Sequence, residues 1–434
     1  MNVGTENNPV PGEQMSRIRL PLELATFAWG LPLLWLASIL KVARERLNGG
    51  HSEIWVLPHR FDDFVCYWLR IRLLHTTAFF DAPDNRYFGS GWGYPAPPIW
   101  IYRFFYLFDP AHVERPYRGF AVMVSLGLAL TIWCAYKLYQ SLQQRGLRRL
   151  SALGLTAVAL VLSWPLLFVL QRGNVELLLW LPLAAGVFAY ARRKWMLAAV
   201  LIGLTASFKL YPIILLALLL RGRRYKEIIT GIVVAVVVTV FSLWYIGPSL
   251  YVAWKRIGLG VSGFIQGHGA QINWTTEGYN HSLFHLVKVN ALNHQDQLGQ
   301  LIPRYMVGIG IMMAALFFTR VIRLPPPNQV MVLVISMIYL PATSYDYTLQ
   351  VLFIPWAWLA LIAVSRARRG ERVPGMLAAM ILFALVLGPE LFLTTGSYIR
   401  SGTLKSVCLA ILLIIAIVYK FDDPERPASI ADTA

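Results

Sequence analysis

The chain has 434 residues, of which 57% are hydrophobic and 14% are charged. Its mean hydropathy is +0.55. An ordinary soluble domain carries roughly 25% charged residues, so this composition excludes a soluble protein and predicts an all-α, polytopic integral membrane protein. The formal net charge of +17 would suit nucleic-acid binding only in a soluble basic module, and no polar segment is long enough to fold into one. Three widely separated cysteines (Cys66, Cys134 and Cys408) indicate neither a disulfide framework nor a zinc site.

Apolar runs in chain order predict the membrane spans, each of which needs about 20 residues. The predicted spans are 22–40, 119–136, 150–170, 175–191, 228–246, 301–319, 330–343, 348–364, 376–393 and 407–419. Two shorter runs, 195–208 and 210–220, are joined by the sequence KLYP and predict half-length helices that line a cavity inside the protein. The total is about 10–12 helical segments in a single domain over 22–420. Residues 1–21 are predicted to form an uncleaved leader, and residues 421–434 are predicted to form a tail.

Basic residues orient these spans, because cytoplasmic loops carry an excess of Lys and Arg. Five loops on one predicted side contain Arg145, Arg148 and Arg149; Arg192, Arg193 and Lys194; Arg221, Arg223, Arg224 and Lys226; Arg320 and Arg323; and Arg366, Arg368, Arg369 and Arg372. The leader and the tail are then cytoplasmic, and the protein is placed in the plasma membrane. The segments 42–118, a large first loop, and 247–300 are predicted to be extracytoplasmic.

The predicted outer face carries ionisable residues next to apolar segments. Asp62 and Asp63 lie within the run RFDDFVCYW, Arg172 follows a predicted span, and Lys209 lies at the tip of the half-length pair. Ionisable groups at membrane depth cost several kcal/mol and favour a functional interpretation. A carboxylate can act as a general base and a cation can bind a phosphate, and these residues could supply both.

Six short motifs follow one another along the chain. They are Asp63-Phe64 with Tyr67, Tyr94-Pro95 with Pro97-Pro98, Arg172-Gly173-Asn174, Lys209 with Pro212, Asn280-His281-Ser282, and Tyr345-Asp346-Tyr347. In this order they resemble glycosyltransferase family 87, membrane enzymes of the GT-C type that typically use polyprenyl-phosphomannose as donor. The resemblance covers roughly 63–355. One departure is that this chain reads R-G-N-V-E from Arg172 to Glu176, where the family commonly has R-G-Q-x-N.

The resemblance implies a GT-C-like fold, a polyprenyl-phosphate sugar donor, a lipid or glycan acceptor, and an active site on the extracytoplasmic face. It implies Asp63 as the catalytic base and, as substrate contacts, Asp62, Tyr94, Arg172, Asn174, Lys209, Asn280, His281 and Asp346. No nucleotide, cofactor or metal is expected. Each residue also has a plainer interpretation. Asp62 or Asp63 could cap a short helix, Arg172 could pair with Glu176, Lys209 could snorkel, Asp346 could cap the next helix, and Tyr94 could anchor at the interface.

Two other functions stay open at this point. A flippase or transporter for lipid-linked sugars would show an internal repeat with matching broken helices, whereas the sequence has one short pair. An O-antigen-ligase-like enzyme would share the large outer loop rich in Arg and His. A metal site at His268, His281 and His285 is conceivable, but no carboxylate accompanies them at ligand spacing.

Overall fold

The computed structural model describes residues 17–49, 62–81, 95–110, 117–264, 269, 277–290, 295–389, 394–395 and 398–424. The first helices are α1 (Leu22–Leu47), α2 (Asp62–Ile71), α3 (Ala78–Asp81), α4 (Pro98–Tyr106), α5 (Tyr117–Gln144), α6 (Arg149–Val161), α7 (Trp164–Arg172), α8 (Glu176–Ala191) and α9 (Trp195–Phe208). They are followed by the 3₁₀ helix Tyr211–Leu219, α10 (Tyr225–Ile246), α11 (Leu250–Phe264), α12 (Leu283–Asn290), α13 (Gln295–Thr319), the 3₁₀ turn Val321–Arg323, α14 (Pro326–Tyr339), the 3₁₀ helix Asp346–Leu352, α15 (Phe353–Arg368), α16 (Met376–Leu387) and α17 (Ser401–Val418). A two-stranded antiparallel hairpin, β1 (Thr394–Thr395) and β2 (Tyr398–Ile399), precedes α17. The predicted all-α class is confirmed, with this hairpin as a small addition.

Six of the described helical segments are long and apolar enough to cross a membrane: α1, α5, α10, Gln297–Arg323, Asp346–Arg368 and α17. The pair α6 and α7, bent by 41°, is long and apolar enough together to make a seventh if the two helices form one span. Four shorter apolar helices are α8, α9, α14 and α16. The half-length pair predicted around KLYP is confirmed as α9 and the 3₁₀ helix Tyr211–Leu219.

The predicted span 150–170 is broken into two helices, because α6 ends at Val161 and α7 begins at Trp164. The reason lies in the sequence at the break. Ser163 caps α7 by accepting a hydrogen bond from the Leu166 N–H, and Pro165 occupies the first turn, where a missing N–H costs nothing. A new helix, α7, therefore begins after the bend, and its last residue, Arg172, lies in the candidate site.

The two segments predicted as outer loops contain helices of their own. In 42–118 the structure has α2, α3, α4 and the end of α1, which extends to Leu47 past the apolar run. Lys41 and Glu45 form an i,i+4 ion pair of 3.2 Å that supports this extension. In 247–300 the structure has α11, α12 and the start of α13. These segments are structured because apolar side chains such as Phe64, Trp68 and Phe284 are fully buried.

Helices α9 and α10 cross with their backbones in direct contact. A Cβ built on Gly203 would lie 2.1 Å from the Gly231 carbonyl oxygen, so glycine is required there. Close approach through small residues is a common way for helices to pack inside a membrane. This crossing fixes the end of α9, and with it the position of Lys209.

Contacts at one end of the bundle join the predicted basic loops to both ends of the described chain. Arg145 pairs with Asp423 at 2.8 Å, and the Ile18 N–H donates to the Gly146 carbonyl at 2.9 Å. Arg221 donates to the Leu324 carbonyl at 2.7 Å. The basic loops thus lie on one face, as the charge pattern predicts, and the acidic motifs of the candidate site lie elsewhere.

Candidate active site

Asp63 is the second residue of α2, a short helix that packs through its apolar face. Phe64 and Trp68 on this helix are fully buried, and the Tyr67 ring stacks on the Tyr102 ring of α4 at 4.0 Å and 10°. Aromatic stacking of this kind adds stability beyond simple burial. The packing holds the backbone of α2 against α4 and so fixes the direction in which Asp63 projects.

Two side chains hold the Asp63 carboxylate, and we call Arg172 and Asn174 the Asp63 clamp. Arg172 Nε donates to Oδ2 at 3.1 Å and its second terminal nitrogen donates to Oδ1. Asn174 Nδ2 donates to Oδ2 at 2.7 Å. Bidentate guanidinium–carboxylate pairs fix geometry as well as charge. Three N–H donors therefore orient the carboxylate, and Asp63 as a whole is 9% exposed.

The turn between α7 and α8 builds this clamp. Arg172 is the last residue of α7, and Gly173 has a left-handed φ of 62° that ends the helix. Asn174 then accepts a hydrogen bond from the Glu176 N–H at 3.0 Å, which starts α8. A Cβ on Gly173 would lie 2.8 Å from both Phe120 and Phe64, so the close approach of α2 also requires glycine.

Glu176 connects the clamp to Lys209. The Glu176 carboxylate accepts hydrogen bonds from the Tyr211 hydroxyl at 2.5 Å and from Lys209 Nζ at 3.0 Å. Lys209 Nζ also lies 5.0 Å from the centre of the Tyr347 ring. The alternative in which Arg172 pairs with Glu176 is wrong, because Arg172 binds Asp63 and Glu176 binds Lys209.

Asp346 lies in a separate, fully buried group. Trp164 Nε1 donates to Asp346 Oδ2 at 2.7 Å, and Lys405 Nζ donates to the same oxygen at 2.6 Å. The second oxygen, Oδ1, lies 3.5 Å from His281 Nδ1, which is too far for a good hydrogen bond. Burial lowers the pKa of His281 below its ordinary value of 6.5, although the nearby Asp346 carboxylate opposes this shift. This group ties α7, α17 and the 3₁₀ helix Asp346–Leu352 together.

A third group surrounds Glu277. Lys288 Nζ donates to Glu277 Oε2 at 2.6 Å, and His285 Nδ1 and Asn280 Nδ2 lie 2.9 and 2.8 Å from Oε1. Burial acts to raise the pKa of Glu277, but the His285 hydrogen bond and the Lys288 charge outweigh it and hold the pKa below 4.5. Burial also lowers the pKa of Lys288, with Glu277 opposing. Within the described residues no three His, Cys, Asp or Glu side chains converge as metal ligands.

The predicted site residues that the structure describes therefore fall into three groups. Asp63, Arg172 and Asn174 touch one another, and Lys209 joins them through Glu176. Asn280, His281 and Asp346 are each 0% exposed. Asn280 belongs to the group around Glu277, and His281 belongs to the group around Asp346. Asp62 is the first residue of α2, where only its backbone is described, and Tyr94 lies outside the described residues.

Four ionisable residues of these groups were missed as candidates: Glu176, Glu277, Lys288 and Lys405. Lys405 lies in the apolar helix α17 and is 0% exposed. The argument that singled out Lys209, a charge inside an apolar stretch, applies equally to Lys405 and would have found it. Sequence spacing offers Glu176 only as a partner for Arg172, because it identifies neighbours within one helix and not contacts between helices.

The apolar helices are those of a polytopic membrane protein, and the charged site at the α7–α8 turn is its candidate active site. The family model of glycosyltransferase family 87 matches residues 92–344, more than half of the chain. The chain therefore belongs to glycosyltransferase family 87 and is a membrane glycosyltransferase, as the motif order predicted. No curated protein matches the chain. The match includes Arg172, Asn174 and Lys209, while Asp63, Asp346 and Lys405 lie outside it.

Proposed function

We propose that this glycosyltransferase moves a sugar, mannose in the family's typical case, from a polyprenyl-phosphate donor to a hydroxyl group of a lipid or glycan acceptor. The reaction takes place on the extracytoplasmic face of the plasma membrane and needs neither a cofactor nor a metal. The observation that carries the proposal is the Asp63 carboxylate, oriented by Arg172 and Asn174 and linked through Glu176 to the Lys209 ammonium.

Asp63 Oδ1 is the atom that accepts the proton. A carboxylate offers about four lone-pair positions, two on each oxygen. Among the described residues, Oδ2 accepts two hydrogen bonds, from Arg172 Nε and Asn174, whereas Oδ1 accepts one, from Arg172. The remaining position on Oδ1 can accept a hydrogen bond from an acceptor hydroxyl. A general base needs such direct contact with the proton that it removes.

The transfer is a single displacement. The acceptor oxygen gives its proton to Asp63 and attacks the anomeric carbon, and the bond from that carbon to the phosphate oxygen breaks. The leaving phosphate keeps the electron pair and is stabilised by the Lys209 ammonium, while Arg172 holds the base in place. Because one displacement occurs at the anomeric carbon, the product has inverted configuration.

The charges present are compatible with a lipid phosphate. Asp63, Arg172, Glu176 and Lys209 contribute two negative and two positive charges. An ammonium carries three N–H donors, so Lys209 can bind Glu176 and a phosphate oxygen at the same time. The site can thus bind a singly charged phosphodiester without losing its own ion pairs.

The position of the site supports an outer active site. The basic loops converge at the end of the bundle where Arg145 meets Asp423, together with residues 17–19 and 420–424. The positive-inside rule assigns that end to the cytoplasm. Asp63 and Lys209 lie in or beside segments assigned to the other side, where a lipid-linked sugar would enter from the membrane surface.

The decisive experiment incubates the purified protein with radiolabelled polyprenyl-phosphate sugars and a lipid extract, and compares wild type with Asp63→Asn. Wild type should yield a glycosylated product, and Asp63→Asn should lose about a hundredfold or more of the rate while still binding donor. A flippase would move the labelled lipid without forming any covalent product.

Asp423→Asn is the matched control for this substitution. Asp423 also forms a bidentate pair with an arginine, at 2.8 and 2.9 Å to Arg145, but at the basic end of the bundle. That variant should keep its transfer activity. Full activity of Asp63→Asn would overturn the assignment of the base, and equal losses in both variants would show that the effect is one of folding. Asp62→Asn, tested alongside, separates the two adjacent acids.

A further inference from the structure

We infer that Glu176 is a positioning residue for the proposed reaction, and that it holds the Lys209 ammonium at a fixed place relative to the Asp63 carboxylate. The inference rests on the proposed function. Glu176 is the first residue of α8 and is only 1% exposed, so it acts through its neighbours and not by contact with substrate.

The side chain of Glu176 determines where the Lys209 ammonium lies. Lys209 follows the last turn of α9 with φ −143° and ψ 126°, an extended conformation that leaves the regular helix. A lysine side chain is a flexible four-carbon chain, so the partners of its ammonium group determine the direction in which it points. Here Glu176 accepts from Lys209 Nζ at 3.0 Å, and the Tyr211 hydroxyl holds the same carboxylate oxygen at 2.5 Å.

The backbone of Glu176 is joined to the other half of the site. Its N–H donates to Asn174 Oδ1 at 3.0 Å, and Asn174 Nδ2 in turn donates to Asp63 at 2.7 Å. The Glu176 carbonyl accepts a hydrogen bond from Gln350, in the same 3₁₀ helix as Tyr347. One residue therefore contacts the clamp through its backbone and the phosphate-binding cation through its side chain.

This link matters because a single displacement has strict geometry. The base that activates the acceptor and the cation that receives the leaving phosphate must lie on opposite sides of the anomeric carbon. A misplacement of about 1 Å can cost about a hundredfold in rate. The structure thus assigns to Glu176 the task of fixing the distance between base and cation, which neither Asp63 nor Lys209 fixes alone.

The test is a double-substitution cycle in the same transfer assay, with Glu176→Gln and Lys209→Gln alone and together. Glu176→Gln keeps the shape of the side chain and removes its charge. We expect kcat to fall by about tenfold or more, while the KM for the polyprenyl-phosphate donor changes by less than about threefold. In the Lys209→Gln background the same substitution should change kcat by less than about twofold, because the group that it positions is absent.

A merely structural role would give a different result. Glu176→Gln would then lower kcat by the same factor in both backgrounds, together with the midpoint of thermal unfolding, and the inference would be wrong. It would also be wrong if Glu176→Gln had the kcat of wild type. Asp423→Asn again controls for the loss of a carboxylate–cation pair at the other end of the bundle.

Tyr211→Phe gives the same test if Glu176→Gln does not fold. It removes the second donor to the Glu176 carboxylate and leaves every charge in place, so kcat should fall severalfold only where Lys209 is present. An unchanged kcat in Tyr211→Phe would contradict the inference. Absence of sugar transfer by wild type would refute the proposed function instead, so the two failures are distinguishable.

Discussion

Gly173→Ala is the substitution whose effect follows most directly from the geometry of the site. Gly173 has a φ of 62°, and a Cβ there would lie 2.8 Å from Phe120 Cε2 and 2.8 Å from Phe64 Cβ. The ring of Phe120 can turn aside, but Phe64 Cβ is bonded to the backbone of α2. Alanine at this position therefore pushes α2 away from the turn that carries Arg172 and Asn174.

The cost has two parts. An L-residue in the left-handed region costs about 1–2 kcal/mol. Overpacking of a well-filled contact costs about 1–3 kcal/mol more. We expect Gly173→Ala to lower the free energy of unfolding by about 2–5 kcal/mol. Because Phe64 follows Asp63 directly, the displacement also moves the carboxylate relative to its clamp, and the transfer rate should fall by about tenfold to a hundredfold.

Gly370→Ala is the matched control. Gly370 has a φ of 71°, but nothing lies within 4 Å of a Cβ built there. This variant should show only the backbone cost of about 1–2 kcal/mol and full transfer activity. The measurements are equilibrium unfolding of the detergent-solubilised protein and the transfer assay. Equal stability of the two variants, or full activity of Gly173→Ala, would refute the reasoning.

Two further predictions concern the packing and the pH dependence of the fold. Gly203→Ala should sharply reduce the yield of folded protein, because its Cβ would lie 2.1 Å from the Gly231 carbonyl oxygen. The control is Gly154→Ala in α6, where nothing lies within 4 Å of the added Cβ, so this variant should be neutral or stabilised by up to about 1 kcal/mol. Equal yields of the two variants would contradict the close α9–α10 crossing. The free energy of unfolding should fall as the pH drops below 6.5. Burial lowers the pKa of His281 in the folded protein, so below that pH the unfolded chain binds a proton that the folded protein does not. The slope should be at most about 1.4 kcal/mol per pH unit. Glu277, whose pKa is held below 4.5, should add a further loss below that pH. His281→Gln should flatten the first part of this dependence in unfolding curves at about pH 7.5 and about pH 5.5, and an unchanged slope would show that another group is responsible.

The helices, their apolar character and the location of the basic loops could be predicted from the sequence. A run of about 20 apolar residues has few options in a membrane other than a helix, because every backbone polar group must be satisfied within the segment. The half-length pair at KLYP followed from the same rule. The break at Ser163 was missed although its signals, a capping serine and Pro165, are local. Apart from a short helix at Asp62 and Asp63, which the sequence offered as an alternative, the helices inside 42–118 and 247–300 were missed because short amphipathic segments resemble loops in composition.

The pairing of the charged residues was decided by the tertiary structure alone. Asp63 and Arg172 are 109 residues apart in the chain, and Asp346 and Lys405 are 59 apart. Sequence spacing shows which residues share a face of one helix, so it offered Glu176 as the partner of Arg172. Which helix ends meet depends on packing, such as the glycine contact between α9 and α10. The sequence by itself therefore determined the kind of protein and most residues of the candidate site, whereas the fold determined that Glu176 joins the Asp63 clamp to Lys209.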